Sequence, residues 1–250
     1  MNLWLKAKTV LNCSSFKTYE LQFPKIPPKI INLFHNYGLM IGSYFIFFFL
    51  LGLLSTILPE LDLEKYQQTE LFNFLDESLL AFILMAVIVA PVLEESIFRT
   101  LIKPSFSEIY IFLCAILAFI GLGFIPQEAN SLLKYALIIL SAFLVFLFFS
   151  SLKPSPLLRK FRILLHRNYK LMWWFTALIF GLVHIWNYVE GWQLDLILFI
   201  LIFPRIIAGY FFGKIKIENH SLVWPILMHA MNNGIVVFFL LPKILSLFGF

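Results

Sequence analysis

Three stretches of this sequence place ionisable side chains inside otherwise apolar surroundings. In AVIVAPVLEESIFRTLI, Glu94 and Glu95 are adjacent, so on a helix they point about 100° apart. Arg99 stands four residues after Glu95, on the same face and within ion-pair reach. The spacing assigns Glu95 and Arg99 to a structural pair and leaves Glu94 as the carboxylate available for chemistry. Pro91 removes one backbone hydrogen bond just ahead of the pair and is expected to bend the helix towards a polar cavity. In ALIFGLVHIWNYV, His184 follows Phe180 by one turn and precedes Asn187 by three residues, while Gly181 permits close helix approach. In SLVWPILMHAMNNGIVVFF, His229 and Asn233 share a face and Asn232 is a near neighbour.

Each of these groups costs several kcal/mol in hydrocarbon unless it is paired or hydrated. Taken singly, each has a plain structural explanation: an ion pair at a helix end, or a polar side chain that bonds to a neighbouring helix. Taken together, a carboxylate, two imidazoles and an amide on three helices suit one reaction. Glu94 takes a proton from water, His184 positions that water, and His229 with Asn233 faces the carbonyl oxygen that becomes negative. That is hydrolysis of an amide or ester at membrane depth.

The elements that must position these groups follow from composition. The chain has 250 residues, 61% hydrophobic and 13% charged, with a mean hydropathy of +0.89. That balance excludes an ordinary soluble domain and a disordered chain. Seven apolar runs, at about 36–58, 78–101, 107–125, 132–151, 171–189, 193–213 and 221–247, are each near the length of a membrane-spanning helix. They lack the alternation of barrel strands. The expected fold is all-α: a polytopic membrane bundle of about seven transmembrane helices, eight if a further span is hidden. A basic segment, 1–34, precedes a single membrane domain, 35–250, whose motif-bearing core is about 78–240.

Charge sets the expected orientation. Acidic residues crowd the 59–77 connection, whereas Lys153, Arg159, Lys160, Arg162, Arg167 and Lys170 fill 152–170, and Lys214 and Lys216 follow the sixth run. By the positive-inside rule the N-terminus is cytoplasmic and the C-terminus outside, in a multi-pass protein of the cell membrane. Residues 1–34 show no apolar stretch ahead of a small-residue cleavage site, so no secretory signal is expected. The net charge of +5 is thereby explained without nucleic acid as a partner; the lipid bilayer is the partner. Cys13 and Cys114 have no metal-type spacing.

The ordered motifs Glu-Glu-x-x-x-Arg (Glu94, Glu95, Arg99), Phe-x-x-x-His (Phe180, His184) and His-x-x-x-Asn (His229, Asn233) resemble the CPBP family of CAAX prenyl proteases and bacteriocin-processing membrane proteins. The segment FPRIIAGYFFGKIKIENHSLVWPILMHAMNN is similar to that family's last two motif helices, and the resemblance covers about 78–240. It implies an intramembrane endopeptidase acting on a membrane-associated, prenylated or leader peptide. Glu94 and His184 would activate water, and His229 and Asn233 would form the oxyanion site. It implies a glutamic-type mechanism with no cofactor. No His-Glu-x-x-His pair is present to fix zinc on one helix; the alternative is zinc held from separate helices by Glu94, His184 and His229.

Two other classes remain on the sequence alone: a non-catalytic membrane scaffold or immunity protein on the same fold, and a proton-coupled transporter. Against the second stand the lack of an internal repeat and of paired broken helices. Arg205, beside Pro204 in the sixth run, needs a partner: a carboxylate of the protein or one of a substrate. Trp173, Trp174 and Trp186–Tyr188 read as interfacial anchors, and His220 as an interfacial cap.

Overall fold

The computed structural model describes residues 28–58, 61–63, 65–66, 79–124 and 131–247. Most of the basic N-terminal segment and of the acidic connection at 59–77 lie outside the described residues. Every described regular element is helical. Helix α1 spans Pro28–Ile57. Helix α2, Leu79–Leu84, passes through a π turn at Met85–Val89 into α3, Ala90–Phe98. Then follow α4 (Phe106–Phe124), α5 (Ser131–Ser151), α6 (Pro156–Arg167) and α7 (Tyr169–Val183), which ends in a 3-10 turn at His184–Asn187. Helices α8 (Leu196–Asn219) and α9 (Val223–Leu247) complete the chain.

Over its described residues each of the seven apolar runs is largely helical. Among the described residues, three helices are long and apolar enough to cross a membrane: Pro28–Ile57, Tyr169–Asn187 and Leu196–Asn219. A fourth results if Ala136–Ser151 and Pro156–Arg167, bent by 104°, count as one broken span. Among the described residues length and composition alone thus identify three or four crossings and leave the expected count of seven unconfirmed. The run at 78–101 contains the π turn, and helices α4 and α9 are 19 and 25 residues long.

The basic 152–170 connection is not a loop. Ser155 caps α6 by accepting from Leu158 N at 3.2 Å, and Pro156 starts the helix. Leu157, Phe161 and Leu164 share one exposed apolar stripe, beside exposed Lys160 and Arg167. The opposite face holds buried Leu165, while Arg162 Nε and His166 Nε2 both bond the Pro104 carbonyl, at 3.0 and 2.8 Å.

Helices α7 and α8 pack closely because small residues line their contact. A Cβ at Gly209 would sit 3.0 Å from the Ala177 backbone oxygen, and one at Gly181 would collide with the Ile206 side chain. Trp173, expected as an interfacial anchor, instead donates from Nε1 to the Tyr210 carbonyl at 2.7 Å and stacks on the Tyr210 ring. Trp174 and Trp186 are exposed, as anchors would be. His220 is a cap in the literal sense: with φ of 57° it ends α8 in the left-handed region, its N–H bonding Lys216 O.

Lys214 and Lys216, read as topology signals, also tie helices together. Lys216 is buried, donates to Ile102 O at 2.8 Å and pairs with Glu108 at 3.1 Å. Lys214 donates to Asn36 Oδ1 at 2.6 Å and pairs with Glu218 at 3.1 Å, fastening α1 to α8.

Candidate active site

The centre of the site is a shared carboxylate. Glu95 Oε2 accepts from Arg99 Nε at 2.8 Å, one helical turn on, and both side chains are 0% exposed. The second oxygen, Oε1, accepts from His229 Nδ1 on α9 at 2.9 Å. The Arg99 guanidinium lies 4.8 Å from the Phe180 ring centroid and 5.9 Å from those of Phe98 and Phe212. Aromatic faces carry partial negative charge, so this cage holds a buried cation that one carboxylate alone would leave half-satisfied.

The same contacts orient His229. With its Nδ1 turned to Glu95 and its ring stacked 4.7 Å from Phe212 at 21°, its Nε2 faces Glu94 Oε2 at 3.9 Å. His184 is held in a parallel way. A carbonyl only accepts, so the 2.6 Å contact between His184 Nδ1 and Phe180 O puts the proton on Nδ1. In the neutral ring Nε2 is then an acceptor, and it too faces Glu94 Oε2, at 3.8 Å. Glu94 Oε2 is buried and has no hydrogen-bond partner among the described residues.

Asn233 has a role that its spacing from His229 does not show. In the π turn the Ala90 N–H bonds Met85 O, five residues back, instead of Ala86 O. The next residue able to take Ala86 O in that pattern is Pro91, which has no N–H. Asn233 Nδ2 donates to Ala86 O at 2.8 Å instead. A π turn precedes Pro91, and the carbonyl released there joins α9 to the helix that carries Glu94.

These residues line a cavity of about 620 Å³. Glu94, His184, His229 and Asn233 are brought together in its wall, while Glu95 and Arg99 stand behind it. Asn187, three residues after His184, also lines it, as do Tyr44 and Phe47 of α1 and Phe212, which sequence reasoning missed. Tyr188, expected as an interfacial anchor, is a lining residue and accepts from Arg205 Nη1 at 3.3 Å. A regular spacing links neither Tyr44 nor Phe47 to the motifs. Only Phe212, two turns after Arg205 on α8, could have been placed by periodicity.

The three groups of the zinc alternative, Glu94, His184 and His229, face one another, with Glu94 Oε2 at 3.8 Å from His184 Nε2 and 3.9 Å from His229 Nε2. Among the described residues no group of three His, Cys, Asp or Glu side chains is arranged to hold a metal ion.

Fold and site together define a class: an all-helical membrane protein with a Glu–His–His cluster and an amide around one cavity. The family profile described as type II CAAX prenyl endopeptidase, Rce1-like, matches residues 76–235. The chain belongs to that family. No curated protein and no solved structure matches it. Helix α1 lies outside the matched range and yet supplies one wall of the cavity through Tyr44, Phe47, Phe48 and Leu51.

Proposed function

We propose that this protein is an intramembrane endopeptidase that hydrolyses a peptide bond near the C-terminus of a prenylated or otherwise membrane-associated polypeptide. The observation that carries the reading is the convergence of His184 Nε2 and His229 Nε2 on Glu94 Oε2, at 3.8 and 3.9 Å. A water that donates one hydrogen to Glu94 Oε2 and the other to His184 Nε2 sits ~2.8 Å from each. Both hydrogens are then pinned, and an oxygen lone pair is free to attack the substrate carbonyl.

In the attack Glu94 takes the proton and the carbonyl oxygen becomes an oxyanion. His229, carrying a proton on Nε2, donates to that oxygen, and the Glu95 carboxylate balances the ring's charge through Nδ1, much as a buried acid supports a histidine in hydrolytic triads. The Asn233 hydrogen not used by Ala86 O is a second donor. Glu94 returns its proton to the leaving amine, which completes the cleavage with no charge left over. Water is activated by these side chains alone, without a resident metal. The largely apolar cavity suits a lipid-modified or apolar peptide. The exposed basic residues of α6 support a cytoplasmic placement of that side of the bundle.

The test is cleavage of an S-farnesylated CAAX-type peptide by the purified chain in liposomes, read by mass spectrometry of both fragments before and after exhaustive chelation. Cleavage unchanged by chelation is the expected result. Absence of cleavage overturns the protease reading, and loss on chelation with recovery on zinc overturns the metal-free one.

A further inference from the structure

We infer that Arg205 forms an anion subsite which receives the free C-terminal carboxylate of the peptide substrate, a few residues beyond the scissile bond. The inference rests on the endopeptidase reading and concerns the same cavity. Among the described residues that line the cavity, Arg205 is the one Lys or Arg. Its own contacts are long for N–H···O bonds: 3.3 Å from Nη1 to Tyr188 Oη and 3.5 Å to Leu201 O. Among the described residues no carboxylate stands within ion-pair distance of it. Arg99, by contrast, has both a carboxylate and three aromatic faces. The Arg205 guanidinium also lies 5.8 Å from the Tyr188 ring centroid, and Glu94 in the same cavity feels its charge without forming an ion pair with it. Arg205 thus has no anion in direct contact among the described residues, and its planar fork matches a carboxylate in two parallel hydrogen bonds.

The position is right for a substrate end. Tyr188, which meets Arg205, is one turn beyond His184. Along α8, Arg205 precedes Phe212, the residue stacked on His229, by seven positions, or ~10 Å of helix rise. An extended peptide covers that distance in about three residues. Helix α8 thus carries the partner of the oxyanion-side imidazole at one point and a fixed positive charge two turns away.

The experiment compares two dye-labelled S-farnesylated peptides, identical except for a C-terminal carboxylate or carboxamide, binding to the full chain in nanodiscs by fluorescence anisotropy. The acid should bind at least tenfold tighter than the amide to the wild-type protein. Arg205→Gln should bring the acid down to the affinity of the amide and leave the amide unchanged, and Arg205→Lys should keep part of the preference. Equal binding of the two peptides to the wild-type protein, a comparison that needs no variant, overturns the inference, as does a preference that survives Arg205→Gln. Because binding is read without turnover, the failures separate. An acid preference with no cleavage sinks the protease reading alone, and cleavage with equal affinities sinks the carboxylate subsite alone.

Discussion

Glu95 Oε1 accepts a hydrogen bond from His229 Nδ1 at 2.9 Å, joining α3 to α9 across 134 positions of sequence. The same carboxylate holds Arg99. Glu95→Ala therefore leaves a guanidinium and an imidazole buried without their acceptor, and should destabilise the protein by about 3–5 kcal/mol. Thermal unfolding in detergent checks this: Glu95→Ala should melt far below wild type, and Glu94→Gln close to it.

The link between Asn233 and the π turn makes a suppressor prediction. Asn233→Ala strands Ala86 O and should cost about 1–3 kcal/mol. Pro91→Ala supplies an N–H to the same carbonyl, so the double variant should recover much of that loss. If Asn233 also donates to the oxyanion, the double variant regains stability and not activity. Melting temperatures and initial rates on the four proteins of the cycle separate the two roles.

Close packing of α7 on α8 is the third point of test. A side chain larger than hydrogen at Gly209 meets backbone, which cannot rotate away. Gly209→Val should destabilise by about 1–3 kcal/mol, measured in the same detergent melt, whereas valine at Gly42, which has open space around it, should be tolerated.

The start of α8 carries a pH signature. Asp195 accepts from Leu198 N at 2.8 Å, from Tyr66 Oη at 2.7 Å and from Lys65 Nζ at 3.0 Å. These donors, the backbone one foremost, pull its carboxyl down to about 2. A depressed folded value means that the contribution is complete above the unfolded carboxyl's pKa, about 3.9, and is lost as pH falls from there towards 2. Asp195→Asn should remove that part of the acid sensitivity, seen as a flatter melting profile between pH 5 and 2.

Much of this site was legible in the sequence. The i, i+4 spacing of Glu95 and Arg99 gave their pairing, and the 100° step gave Glu94 a different direction. Helical periodicity speaks only within one helix, which is why the bond from His229 to Glu95 was not foreseen. The π turn was hidden for a related reason: Pro91 announces a missing donor and does not say how the backbone will rearrange. Apolar runs exposed the helices, because hydropathy reports burial in lipid or protein alike and does not by itself count crossings. The basic residues of 152–170, which signal topology, share the amphipathic α6 with the stripe formed by Leu157, Phe161 and Leu164, and a charge count does not show that stripe.

The central claim is that Glu94 bears the chemistry while Glu95 bears the structure. Its most direct measurement is the initial rate of farnesylated-peptide cleavage by Glu94→Gln, with the unfolding temperature recorded on the same preparation. The account predicts a rate reduced by at least 10²-fold, the lower end for a lost general base, with melting close to that of wild type. A Glu94→Gln protein that folds and cleaves at the wild-type rate would contradict it.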